Sequence, residues 1–173
     1  MIKIRNLRLL QDIYKNDPWK MLVCCIMLNL TTRKQVDKVR HKLFDDYPTP
    51  QALANARLTE LSELLMPLGM QYKRAATLKR FSQEYIDGFV DPIELHGIGK
   101  YAKDSWEIFQ NNNLNVQPTD KVLNLYLAAN TDGTQLMKII EVMKKVQEFI
   151  LGKEEKKPVK QKRKYRRRRV KKK

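Results

Sequence analysis

Apolar positions along this chain recur at three- and four-residue spacing, and two-residue alternation is absent. Trp19 to Leu30 is apolar nearly all round, which predicts a buried central helix. From Lys34 to Tyr47, Val36, Val39, Leu43 and Phe44 form one stripe with basic residues on the other faces. Ala75, Leu78, Phe81, Ser82 and Tyr85 make another stripe, and Leu136, Ile139, Ile140, Met143, Val146 and Ile150 a last one. The punctuation agrees. Asp17-Pro18, Thr49-Pro50 and Asp91-Pro92 each pair an N-cap oxygen with proline at the first helical position. Thr32 and Thr59 can cap two further helices, while Gly69 and Gly88 stand where helices stop. The pattern predicts an all-α protein of about nine short helices with no sheet of consequence.

Breaks in the pattern carry the candidate chemistry. Leu95-His96-Gly97-Ile98-Gly99-Lys100-Tyr101 interrupts two helical patterns with two glycines. Such a turn allows positive φ and close backbone approach. Its amides, with those of the next helix N-terminus, can face a phosphate. Lys100 and Lys103 add charge beside it. This fits a helix-hairpin-helix gripping a DNA backbone without sequence preference, although an ordinary tight αα-turn also favours glycine. Asn111 to Asn115 is a polar loop, and Thr131-Asp132-Gly133-Thr134 a turn. Asp120 stands just before a helix over Lys121 to Ala129, where an aspartate is an ordinary N-cap. A carboxylate there can also stabilise a sugar cation or orient a water, and the two roles are compatible.

Charge divides the chain. It carries 35 Lys+Arg and 19 Asp+Glu, a net +16. Residues 153–173 hold 14 basic and 2 acidic residues, so Met1 to Gly152 is only mildly basic. The division predicts a helical domain over 1–152 and a disordered basic tail over 153–173. Lys162-Arg163-Lys164 and Arg166 to Arg169 fit a nuclear localisation signal read by an import receptor, or a DNA-gripping arm; a solubilising tail is the plain alternative. The longest apolar run, Met21 to Leu28, is eight residues, far below the ~18 that span a bilayer, so no membrane is expected. Cys24 and Cys25 are adjacent and His41 and His96 lie far apart, a set that offers no metal site. The cysteines are expected as packing in the buried helix, and Trp19, Trp106 and Phe109 as core.

The hairpin followed by an aspartate resembles the helix-hairpin-helix DNA glycosylase superfamily, and most closely the glycosylase domain of the methyl-CpG-binding thymine DNA glycosylases. Asp17-Pro18-Trp19-Lys20, Leu28-Asn29, Glu63-Leu64-Leu65, Pro67-Leu68-Gly69, Arg74-Ala75, Phe81-Ser82 and Glu84-Tyr85 carry the resemblance. So do Pro92 to Tyr101, Asp104-Ser105, Ile108-Phe109, Pro118, Asp120, Leu123-Asn124 and Tyr126. It covers about Gln11 to Leu127 and implies a two-lobed fold with the active cleft between the lobes. It implies removal of thymine or uracil from mispairs with guanine in double-stranded DNA, with the target nucleotide flipped out. Asp120 matches the catalytic aspartate. Tyr101 takes the position where bifunctional relatives carry a Schiff-base lysine. A phenol cannot form an imine, so the implied enzyme is monofunctional.

Gln11 matches a pocket glutamine, whose amide offers a donor and an acceptor to the edge of thymine or uracil. Leu28 and Asn29 match residues lining the same pocket, though Leu28 also suits the core and Gln11 a helix surface. The family has an arginine after Leu-Asn that fills the gap left by the flipped nucleotide. Here that position is Leu30, which can wedge but cannot hydrogen-bond phosphates or the orphan guanine. The second wedge, a leucine after Pro-Leu-Gly, is Met70 here. No cofactor and no metal are expected, and the protein is expected to be a monomer, located in the nucleus on the strength of its basic tail. A non-catalytic DNA-binding module that keeps the fold is the competing reading. A basic protein using the hairpin on RNA is a third, which leaves Asp120 unexplained.

Overall fold

The computed structural model describes residues 9–130. Among them are eight α-helices, two 3-10 turns and no strand. In chain order these are α1 (Leu10–Ile13), α2 (Pro18–Leu28), α3 (Arg33–Asp46), α4 (Pro50–Asn55), α5 (Leu58–Leu65), α6 (Gln71–Asp87), α7 (Lys100–Phe109) and α8 (Lys121–Asn130). The 3-10 turns lie over Met66–Leu68 and Pro92–Glu94. The predicted turn at 131–134, the last stripe and the basic tail lie outside the described residues.

Local chemistry explains most boundaries. Asp17 caps α2 by accepting from Lys20 N at 3.1 Å, with Pro18 at the first helical position. Thr32 and Gln35 close a capping box on α3. Thr49 caps α4, and Asp91 caps the Pro92–Glu94 turn. Thr59 does not cap. Helix α5 starts one residue earlier, behind Arg57, which lends no side-chain bond. The central apolar helix also ends sooner than its hydropathy suggests. It closes at Leu28, and Leu30 turns out into solvent at φ +57°, 84% exposed. Hydrophobicity placed Leu30 in the helix; the backbone places it on a loop tip.

Helix α2 is the axis of the molecule, with Met21 to Met27 buried on every face. Helices α1, α3, α6 and α7 pack on it, and α4 and α5 pack on α6. One apolar cluster gathers these elements, from Leu10 and Trp19 through Leu78 and Phe81 to Ala102. A second, smaller cluster joins Leu9 to Ile108 on α7 and to Leu123 and Leu127 on α8. Tyr101 and Phe109 pack against both clusters. As expected, Trp19 and both cysteines are core, and Trp19 Nε1 donates to Ser82 Oγ at 3.1 Å. Trp106 and Phe109 are half-buried at its edge.

Candidate active site

The turn between the Pro92–Glu94 segment and α7 is built as a hairpin. Gly97 sits at φ +85°, in the region that favours glycine. A Cβ there would stand 2.5 Å from Thr77 Cγ2 on α6, so the turn is pressed on its neighbour. Glu84 on α6 anchors the turn by accepting from His96 N at 2.6 Å. Gly99 precedes α7 in extended backbone and offers no side-chain cap, which leaves the first amides of α7 without a side-chain acceptor. The two lysines expected to face a phosphate are both paired within the chain. Lys100 Nζ lies 2.9 Å from both Asp104 oxygens, and Lys103 Nζ lies 2.5 Å from Asp91 Oδ2. Their charge is partly offset, and the amides are the more distinctive feature of this turn.

Hairpin geometry aims Tyr101, in the first turn of α7, at the seam between the two clusters. Its Oη accepts from Gln11 Nε2 at 2.5 Å. Gln11 is buried on α1, and the same Nε2 also donates to Ser105 Oγ at 3.3 Å. Ser105 in turn donates to Tyr101 O at 2.9 Å. Cys25 on α2 lies within hydrogen-bonding reach of Ser105 and Gln11. Burial pushes its thiol up to about 12, with those two bonds opposing. Burial likewise raises the Tyr101 phenol well above its ordinary value, the charges of Cys25 and Asp120 adding and the Gln11 bond opposing. The phenol is therefore neutral and keeps a proton to donate. Both amide hydrogens of Gln11 are committed, and Oε1 accepts no hydrogen bond among the described residues. Gln11 is only 2% exposed, so its amide is enclosed between α1 and the Tyr101–Ser105 face of α7.

Asp120 stands at the start of α8, and its charge reaches Tyr101. Oδ1 accepts from Val122 N and Leu123 N, each at 2.9 Å, so the N-cap role is filled. Oδ2 accepts no hydrogen bond among the described residues, which leaves it available to a sugar or a water. Asn124 steadies the loop: Nδ2 donates to Pro118 O at 2.7 Å and to Asp120 O at 2.9 Å. Of the remaining candidates, Leu28 is half-buried against the core and Asn29 is exposed at the end of α2. Leu30 and Met70 stand on separate loop tips, Met70 at φ +50° and 49% exposed. Gly97 and Gly99 are exposed on the hairpin.

Sequence reading missed three contributors. Ser105 follows Tyr101 by four residues, so helix spacing puts both on one face. Asn124 follows Asp120 by four in the same way. Arg74 lies four residues before Leu78 on the apolar stripe of α6, and the structure buries it at 5% exposure. Among the described residues no cluster of His, Cys, Asp or Glu could hold a metal ion, and no helix is long and apolar enough to cross a membrane.

Comparison with known proteins gives this arrangement relatives. The family model described as "HhH-GPD superfamily base excision DNA repair protein" matches residues 23–167. A "Methyl-CpG-binding domain protein 4-like protein" of Arabidopsis thaliana is 38% identical over 120 residues, covering 68% of this chain and 27% of that protein. A "Thymine/uracil-DNA glycosylase" of Pyrobaculum aerophilum is 37% identical over 94 residues, half of this chain and 41% of the relative. The solved structure of a thermostable thymine-DNA glycosylase superposes with a TM-score of 0.52 at 25% identity, covering 56% of this chain and 48% of that one. The chain spans less than half the length of these relatives.

Proposed function

The chain belongs to the HhH-GPD superfamily of base excision DNA repair proteins, and from that premise we propose that it is a monofunctional DNA glycosylase removing thymine or uracil from G·T and G·U mispairs. The observation that carries this reading is the contact of Tyr101 with Gln11, together with the Asp120 carboxylate at the start of α8. A phenol fills the position from which a lysine amine would attack the sugar, so water is the nucleophile. The exposed amides and turn of the hairpin hold the phosphate backbone. Leu30 and Met70 enter the duplex, and the target nucleotide turns into the cleft. Gln11 Oε1 accepts N3–H of the base, and Tyr101 Oη–H donates to a ring carbonyl. Cytosine, whose N3 is an acceptor, meets the Gln11 oxygen repulsively. As the glycosidic bond lengthens, positive charge builds on the deoxyribose. The Asp120 carboxylate stabilises that charge and orients the incoming water through Oδ2.

This reading makes the protein a monomer in the nucleus, delivered through the Lys160 to Lys173 run. The test uses labelled duplexes containing G·T, G·U and A·U, treated with alkali after incubation. Breaks that need alkali, with no borohydride-trapped adduct, are expected on the guanine-opposed substrates. Nicking at neutral pH with a covalent adduct would contradict the monofunctional assignment. Leu30, which lacks the hydrogen-bonding capacity of an arginine, favours a second reading as a non-catalytic DNA-binding module. Binding without breaks would select it.

A further inference from the structure

Two non-glycine residues, Leu30 and Met70, hold left-handed backbone on two separate loops, and both are exposed. One side chain reaches the peptide that leads into each. Arg74 Nη2 donates to Asn29 O at 2.9 Å, and Arg74 Nε donates to Gly69 O at 3.2 Å. Its Nη1 donates to Ile26 O at 3.0 Å and to Met27 O at 3.4 Å, carbonyls at the end of α2 that also accept from Asn29 N and from the Thr31 hydroxyl. The guanidinium is buried, and it faces carbonyl oxygens with no carboxylate among its bonds. Burial lowers its pKa, and among the described residues no counter-charge offsets that. A buried, unpaired cation is a demanding feature for a core to hold. Strained backbone persists only where the surroundings over-determine it.

We infer that Arg74 is the positioning residue of a two-pronged wedge: its planar fork fixes the Leu30 and Met70 tips relative to each other, so that both enter a duplex together. The inference rests on the glycosylase reading of those two tips. A planar fork suits the task, since it spans several carbonyls in fixed directions, whereas an ammonium is a single point. The tips need such a tether because their loops follow different elements, α2 and the Met66–Leu68 turn, and among the described residues no other side-chain hydrogen bond joins them.

The test compares Arg74→Lys with the native protein on a G·U duplex, on single-stranded uracil DNA, and on a duplex carrying 2-aminopurine at the target position. Single-turnover cleavage of the duplex is expected to fall about 10–100-fold, as a misplacement near 1 Å can cause, with loss of the 2-aminopurine signal. Cleavage of single-stranded uracil, which needs no extrusion, should hold within about 2-fold. The same substitution is then placed on Leu30→Gly/Met70→Gly, where the turns need no strain and carry no wedge. There it should add no further loss on the duplex. An equal loss on duplex and single strand, or the full loss again in the glycine background, would overturn the inference. So would an unchanged duplex rate. If Arg74→Lys alone does not fold, folding in the glycine background supports the tether and failure there too assigns Arg74 to the body of the fold. If the native protein cleaves neither substrate, the glycosylase reading fails separately. The 2-aminopurine signal then still decides whether Arg74 acts through the tips.

Discussion

In the proposed mechanism Asp120 divides its work between its two oxygens, and one substitution separates the roles. Oδ1 caps α8, while Oδ2 is assigned to the sugar and water. Asparagine caps about as well as aspartate, so Asp120→Asn keeps the cap and removes the charge. The expected product is a folded protein with near-native melting temperature and equal or tighter DNA binding. Its single-turnover glycosylase rate should be lower by at least ~10²-fold. A variant that melts much lower yet cleaves normally per folded molecule would leave Asp120 as a cap only. Tyr101 and Gln11 show how much a residue's role depends on its partners. Each was visible in the sequence as a site candidate. The structure adds a partner that neither position shows: Ser105, to which Gln11 Nε2 also donates.

At the level of elements, the hairpin is shaped by what it leans on. Gly97 combines φ +85° with a Cβ direction blocked by Thr77. Gly97→Ala therefore meets both backbone strain and overlap, together about 2–3 kcal/mol. For a domain of this size that lowers the melting temperature by about 5–10 °C. Adding Thr77→Ser removes the blocking methyl, and it should restore part of the loss but not the share due to φ. A calorimetric melt of the single and double variants checks both amounts. Full recovery would mean that φ at this turn carries no strain; no recovery would mean that the methyl contact is absent in solution. The neighbouring lysines illustrate the same dependence. Lys100 and Lys103 read as phosphate contacts when only their position is known, and as partners of Asp104 and Asp91 once the helix and hairpin are assembled.

Across the whole molecule, charge is concentrated at one end of the chain. Residues 153–173 carry 14 of the 35 basic residues. Removing them should flatten the slope of log K against log salt by several units, since each phosphate contact contributes about −0.9. Single-turnover cleavage at saturating enzyme should hardly change, because the proposed mechanism draws its reacting groups from Gln11, Tyr101 and Asp120. A titration of a fluorescent duplex at four salt concentrations measures the slope. An unchanged slope would show that this segment does not touch DNA.

The sequence by itself determined the helical class, because the apolar period is 3.6 and the caps are local. Asp17, Thr32, Thr49 and Asp91 each bond amides within a few residues, so their roles are written in the chain nearby. The glycine turn at Gly97 and the N-cap at Asp120 were legible for a related reason, since turn chemistry and helix starts are short-range, whereas Tyr101 stood out only through the family resemblance. Thr59 misled because a cap depends on where the helix begins, and α5 begins at Leu58 to bury Leu61 and Leu65. Leu30 misled because hydropathy cannot see a helix ending. The end of α2 combines local bonds from Asn29 N and the Thr31 hydroxyl with a long-range partner, Arg74, which donates to the carbonyls of Ile26, Met27 and Asn29 from 45 to 48 residues away. Tertiary structure alone decided that bond, the closure of Gln11 onto Tyr101 across 90 residues, and the reach of the Asp120 charge to the phenol. Each depends on which helix faces cross, and that is settled only when α1, α2, α6, α7 and α8 bury their apolar sides together.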